Sequence, residues 1–409
     1  MSAGTPRRLL GPLVAAFTLL VGVVAAEVLL RAFYPMPDPY AEFKVVVRRN
    51  FVPSWHAPHQ RLPVRVVAGV PGMTTEYKMF STNHLGLRGD SLIMPKPPDE
   101  YRVFLVGGST TENTYLDDTE TLPRIVQDRL RARPIDGRRV AVYGAAKSGD
   151  NSLDHVAAVS HLLIHLQPDM VIVFTGINDV STAIWGRSYM NVIAADSATV
   201  TLGDAVRYVA TEFQVMRLAH RVLAPRSEQQ RLEQVPYALD PARKAAIRAR
   251  HPVSKVDLRL NPREYGENLT SLVGLARIHG APIVFMTQAT TWNSAVDPSA
   301  ARWHYMTLRR GVNYHEVVLD REMERFNDAM RQVAARHDVP IVDLARALPK
   351  STRYIYDDVH FNVKGADTAG TMLADFIANR FGHGDSTVAV TLPVHPPGAL
   401  ETGASASMP

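Results

Sequence analysis

YRVFLVGGST, residues 101–110, is the stretch on which the reading of the fold turns. Arg102 to Val106 is a short run of β-branched and apolar residues of strand length. Gly107 and Gly108 then permit a tight turn and leave Ser109 at the start of a following helix. Downstream, Leu122, Ile125, Val126 and Leu130 recur at helical spacing. Strand and helix go on alternating: Val140 to Tyr143 precedes an amphipathic Asn151 to Leu166, and Met170 to Thr175 reads as another buried strand. After an interruption come a helix over Tyr265 to His279, a strand over Pro282 to Thr287, a helix over Phe326 to His337, a strand over Ile341 to Leu344, and a closing helix over Lys364 to Arg380. The alternation predicts a doubly wound parallel sheet with helices on both faces, because parallel strands need crossovers that bury them. Ligands on such a sheet bind at the carboxyl ends of its strands, so the loops there are where chemistry is expected.

Outward from this core, residues 34–100 are rich in Pro and aromatic side chains and read as an extended, partly stranded lead-in. About eighty residues, 181–262, form a mostly helical, polar insertion in the alternation, which spans 101–382 as a whole. Residues 383–409, small and polar with several prolines, read as a disordered tail. At the other end, Leu9 to Ala26 is an uncharged apolar run behind Arg7 and Arg8, about the length of one bilayer crossing. Residues 1–33 are therefore expected to act as a transmembrane anchor, with the rest of the chain outside the cytoplasm. Cleavage after the small residues Val24-Ala25-Ala26, and secretion, is the alternative.

Composition narrows the function. The 409 residues are 46% apolar and 21% charged, enough for one sizeable core. A net charge of +5 is spread among nearly as many acids, with no basic stripe interleaved with aromatics, so a nucleic-acid partner is not expected. The absence of cysteine removes disulfides, thiolate nucleophiles and Cys-based zinc sites.

A site would assemble in the loops that follow the strands. Ser109 behind its glycines is either a nucleophile with backbone N–H groups nearby or an ordinary helix N-cap turn. Ala146-Lys147-Ser148-Gly149-Asp150 follows the second strand, and Gly149 would let a substrate approach the backbone. Gly176-Ile177-Asn178-Asp179 follows the third, putting an amide donor at a strand end, where an Asx turn is the competing explanation. Before the closing helix, Asp357 and His360 are three apart, so a helical turn would let the carboxylate orient the imidazole. His161 and His165 are four apart, but without a Glu beside His161 or an evident third ligand no metal site is expected. Asp117 and Asp118 read as a solvated turn, and Asn268-Leu269-Thr270 as a glycosylation sequon.

Four such loops in this order resemble the SGNH (GDSL-like) hydrolase family of exported or membrane-anchored bacterial proteins. Ser109 falls on the nucleophile of the first block, Gly149 on the glycine of the second, Asn178 on the asparagine of G-x-N-D, and Asp357 with His360 on D-x-x-H. Ser81 to Gly89, STNHLGLRG, is similar to a lead-in carried by many exported members. Two departures stand out: Gly108 replaces the Asp of the G-D-S form, and Gly144 stands where an Asn is common. The resemblance implies a flavodoxin-like three-layer sandwich and a Ser109–His360–Asp357 triad without a cofactor. It implies an oxyanion hole formed by the Ser109 and Gly149 N–H groups and the Asn178 side chain. The implied activity is hydrolysis of an acyl ester, with an acetylated glycan as the expected substrate. A polysaccharide O-acyltransferase on the same triad and a non-catalytic glycan-binding protein on the same fold are the alternatives.

Overall fold

A computed structural model describes residues 7–36, 55–74, 77–186, 206, 209–223, 239–254, 256–296, 298–309 and 311–382. The chain divides into two units, Met1–Val47 with Ala195–Val235, and Arg48–Ala194 with Pro236–Pro409. In the first, a helix over Arg7–Phe33 contains an apolar span, Gly11–Phe33, of mean hydropathy 2.5 with none of its most apolar window buried. At 1.5 Å per residue these residues rise about 34 Å, long enough to cross a bilayer, as a signal anchor or a signal peptide would. The helix end is tied to a second one, Gln214–Leu223: Glu27 accepts the Val215 N–H at 2.9 Å, and Arg217 donates to the Met36 carbonyl at 2.9 Å.

The second unit is built on five parallel strands, β1 (Glu100–Gly107), β2 (Arg139–Ala146), β3 (Met170–Phe174), β4 (Ile283–Met286) and β5 (Ile341–Val342). Their order is β5-β4-β3-β1-β2. The chain steps outward from β1 to β2, then returns to the other side of β1 with β3, which places the switch point between β1 and β3. All eight β1 residues are buried, as a central parallel strand requires. Its one cation, Arg102, is satisfied in place by Glu100 at 2.7 Å and the Leu166 carbonyl at 2.6 Å.

Alternate β1 side chains face two separate cores. Val103 and Leu105, with Val142, Phe174 and Met286, pack under α1 (Leu122–Leu130) and α5 (Val363–Phe381). Phe104 and Val106, with Tyr143, Val173 and Phe285, pack under α2 (Ser152–His161), α3 (Arg263–Ile278) and α4 (Glu316–Arg336). This is the three-layer arrangement expected from the alternation.

Several boundaries differ from expectation. The helix predicted over 151–166 stops at His161, and a 3-10 turn, Leu163–Leu166, follows. His161 and His165 thus fall on opposite sides of the break at Leu162, and their four-residue helical spacing is lost. α4 begins ten residues before Phe326, because the fully buried Glu322, accepting the Leu260 N–H, interrupts the apolar pattern there. A small sheet of Val253–Ser254, Val312–Tyr314 and Leu308–Arg309 has strands too short for any periodicity to announce. In the lead-in, Arg61–Arg65 pairs antiparallel with Tyr77–Ser81, and Arg88 bridges to Gly144 at the edge of the main sheet. Much of the expected insertion, residues 187–205, 207–208, 224–238 and 255, lies outside the described residues. So does the expected tail, 383–409.

Candidate active site

β1 ends at the switch point, and its geometry forces glycine at the next turn. A Cβ on Gly107 would lie 2.2 Å from the Thr111 hydroxyl and 2.7 Å from the Phe174 carbonyl. Ser109 opens a one-turn helix, Ser109–Glu112, behind Gly108. Its Oγ lies 2.8 Å from Nε2 of His360, and Nδ1 of His360 lies 2.7 Å from Oδ2 of Asp357. Residues 251 positions apart in the chain thus meet in one connected relay.

The Asp357–His360 segment is not the helical turn expected. The other carboxylate oxygen of Asp357 accepts the N–H groups of Val359 and His360, at 2.9 and 2.8 Å, so the aspartate folds its own turn. Asp357 is fully buried, and the His360 side chain keeps 14% of its surface exposed. Burial pushes the His360 pKa down, but the charge and hydrogen bond of Asp357 outweigh it, with Asp358 and Glu112 adding, so the imidazole is held above the ordinary histidine value. Asp357 is shifted the opposite way: burial would raise its pKa, and His360 with the two backbone N–H groups holds it below the usual range. The rings of Tyr305 and Tyr356 lie nearly parallel to the imidazole, at 5.8 and 5.6 Å between centroids.

On the opposite side of Ser109, Asn178 sits in the first turn of a helix over Ile177–Ile184, entered through Gly176 at φ 142°. Its amide donates to the Asp150 carbonyl at 2.8 Å, which joins the second and third loops. A Cβ on Gly108 would stand 2.6 Å from that same amide nitrogen and 3.1 Å from the Asp150 carbonyl, so a side chain at 108 would have to displace the Asn178 amide. Gly149 has φ 92° with open space around it, so its glycine is a conformational requirement and leaves the turn solvent-facing. Asp179 turns away, accepting the Ser152 N–H at 3.0 Å and the Thr175 hydroxyl at 3.1 Å, and so locks the third loop to α2.

Three supporting residues carried no sequence signal of their role. Arg88, from the STNHLGLRG stretch, is buried and donates to the carbonyls of Glu112, Asn113 and Leu116 at the end of the Ser109–Glu112 helix. Its backbone exchanges two hydrogen bonds with Gly144, and a side chain at 144 would crowd Pro123, which accounts for the second departure. Asp358 is fully buried and accepts from the Trp292 indole at 2.8 Å and from the backbone of Tyr305 and Met306, fixing Tyr305 against His360. The third, Glu112, is taken up below. Asp117 and Asp118 are not the solvated turn expected; they accept the Met79 and Ser81 N–H groups, at 3.0 Å each, and brace the lead-in hairpin. The sequon Asn268 donates to the Ser152 hydroxyl at 2.9 Å.

Residues 105–368 match the model of the GDSL-like lipase/acylhydrolase family. Similar solved structures include the lipase/acylhydrolase from Enterococcus faecalis, 16% identical, covering 68% of this chain and 96% of that one with a TM-score of 0.38. Another is Axe2, an acetylxylan esterase from Geobacillus stearothermophilus, 16% identical, covering 69% and 94% with a TM-score of 0.38. A third, TesA, is 15% identical and covers 68% and 97% with a TM-score of 0.38. No curated protein shows significant similarity to the chain.

Proposed function

The chain belongs to the GDSL-like lipase/acylhydrolase family, and from that premise we propose that Ser109, His360 and Asp357 are the triad of an SGNH-type serine ester hydrolase. The observation that carries this is the unbroken relay from the Ser109 hydroxyl through the imidazole to a buried carboxylate, at 2.8 and 2.7 Å. Ser109 Oγ attacks the ester carbonyl while His360 Nε2 takes its proton. The tetrahedral oxyanion is met by the Ser109 and Gly149 N–H groups and by the Asn178 amide hydrogen not given to Asp150. Collapse expels the alcohol, which receives the proton from His360 and leaves an acyl-Ser109. Water then attacks the acyl carbon, again deprotonated by His360, and the carboxylic acid departs as Ser109 regains its hydrogen. With the N-terminal helix as a signal anchor, the substrate lies outside the cytoplasm, where acetyl esters of envelope and extracellular glycans are the class we assign.

The test is hydrolysis of a short-chain aryl acetate by the full chain in detergent, followed against pH. Only neutral His360 accepts a proton, and its pKa is raised by Asp357, so kcat/KM is expected to rise with pH through a midpoint above about 6.5. A profile flat from about pH 5 to 8 would remove His360 from the base role. Asn178→Ala is expected to lower kcat about 10²- to 10³-fold with little change in KM, the signature of a donor used in the transition state. Equal losses in binding of the ground-state substrate would assign Asn178 to substrate contact instead.

A further inference from the structure

We propose that Glu112, paired with His56, is a positioning residue that holds the Ser148-Gly149 turn, and with it the Gly149 donor, in register with Ser109. This rests on the triad reading above. Glu112 ends the same one-turn helix that Ser109 begins, and only 5% of it is exposed, so it is too buried to reach substrate. One of its carboxylate oxygens accepts the Ser148 N–H, and the other accepts the Ser148 hydroxyl at 3.0 Å and the Thr114 hydroxyl at 2.5 Å. Nε2 of His56, itself buried, lies 3.4 Å from the carboxylate, and among the described residues neither ring nitrogen of His56 has another partner.

A buried acid in such company stays ionised. Burial pushes its pKa up, but His56, Thr114 and Ser148 outweigh that and bring Glu112 down to about 2. Gly149 itself has open space on its side-chain face, so packing there cannot hold the turn. Its flanks do: Asp150 is held through its carbonyl by Asn178, and Ser148 is held twice by Glu112. Because Glu112 and Ser109 share one helical turn, nucleophile and donor loop move as one body. His56 lies outside the stretch matched to the family, in the lead-in, so the lead-in completes a support for the site rather than merely preceding it.

The test compares wild type, Glu112→Gln and Glu112→Ala as full chains. Initial rates on the aryl acetate are read beside labelling of Ser109 by an organophosphonate, with folding checked by circular dichroism. Glu112→Gln keeps the shape but loses the charge: its oxygen can still face the Ser148 N–H, while an uncharged NH₂ replaces the oxygen that accepts the Ser148 and Thr114 hydroxyls, so the turn is held more weakly. The substitution should lower kcat about tenfold with KM within about threefold, a fraction of what deleting an oxyanion donor costs. Because the Glu112 charge also favours the His360 imidazolium, the acid limb moves to lower pH whatever the side chain's role, and the split between kcat and KM carries the test. Glu112→Ala, if folded, should lose more than Glu112→Gln; if it unfolds, Glu112→Gln decides alone. A Glu112→Gln enzyme with wild-type kcat overturns the proposal while labelled, active wild type leaves the triad standing. Wild type that neither hydrolyses the ester nor takes up the phosphonate overturns the triad reading instead.

Discussion

Ser109→Ala should lower kcat/KM for a short-chain aryl acetate by about 10⁵-fold, the scale on which loss of the nucleophile disables a serine hydrolase. What remains would come from the oxyanion donors and from substrate binding, both left in place by the substitution. The protein should keep its fold, since the hydroxyl at 109 makes one hydrogen bond, to His360, and Gly107 and Gly108 set the turn independently of it. The measurement is initial rate against substrate concentration for the two proteins side by side, with circular dichroism as the control. A loss of less than tenfold would move the nucleophile elsewhere. Ser148 is the other serine in the first two loops, and its proton is committed to Glu112.

The parts of this molecule that could be read in advance are those whose signal is local. β1 to β5 are legible as short apolar runs, β1, β3 and β4 because central parallel strands are apolar on both faces, and the four loops because each carries a glycine or a polar residue at a strand end. What could not be read depends on partners far away in the chain. Nothing local to Arg88 says that its guanidinium caps the carbonyls at the end of the Ser109–Glu112 helix. Nor does the Asp-Asp pair 357–358 say which carboxylate serves the histidine and which serves Trp292 and Tyr305. The two glycines that depart from the family pattern make sense only once Asn178 is seen against Gly108 and Arg88 against Gly144. The three-residue spacing at Asp357 suits a helix and an Asx turn alike, and the backbone N–H groups of 359 and 360 decide for the turn.

That turn makes Asp357→Asn a sharper experiment than truncation. In the native protein one carboxylate oxygen binds the two backbone N–H groups and the other faces Nδ1 of His360. An asparagine must keep its carbonyl oxygen on the backbone donors, which forces its NH₂ toward Nδ1. The imidazole then accepts at Nδ1 and carries its proton on Nε2, pointing at Ser109, which is the wrong tautomer for a base. The expected loss in kcat/KM is about 10⁴-fold with the fold intact, as for other triads in which the aspartate loses its charge but not its shape. Asp358 cannot stand in, because its oxygens are held by Trp292, Tyr305 and Met306. Asp357→Ala should lose a similar factor and also some thermal stability, since the turn loses its internal acceptor. If Asp357→Asn kept more than a tenth of wild-type activity, the orienting role would belong to another group, and the relay would be a structural contact without catalytic consequence.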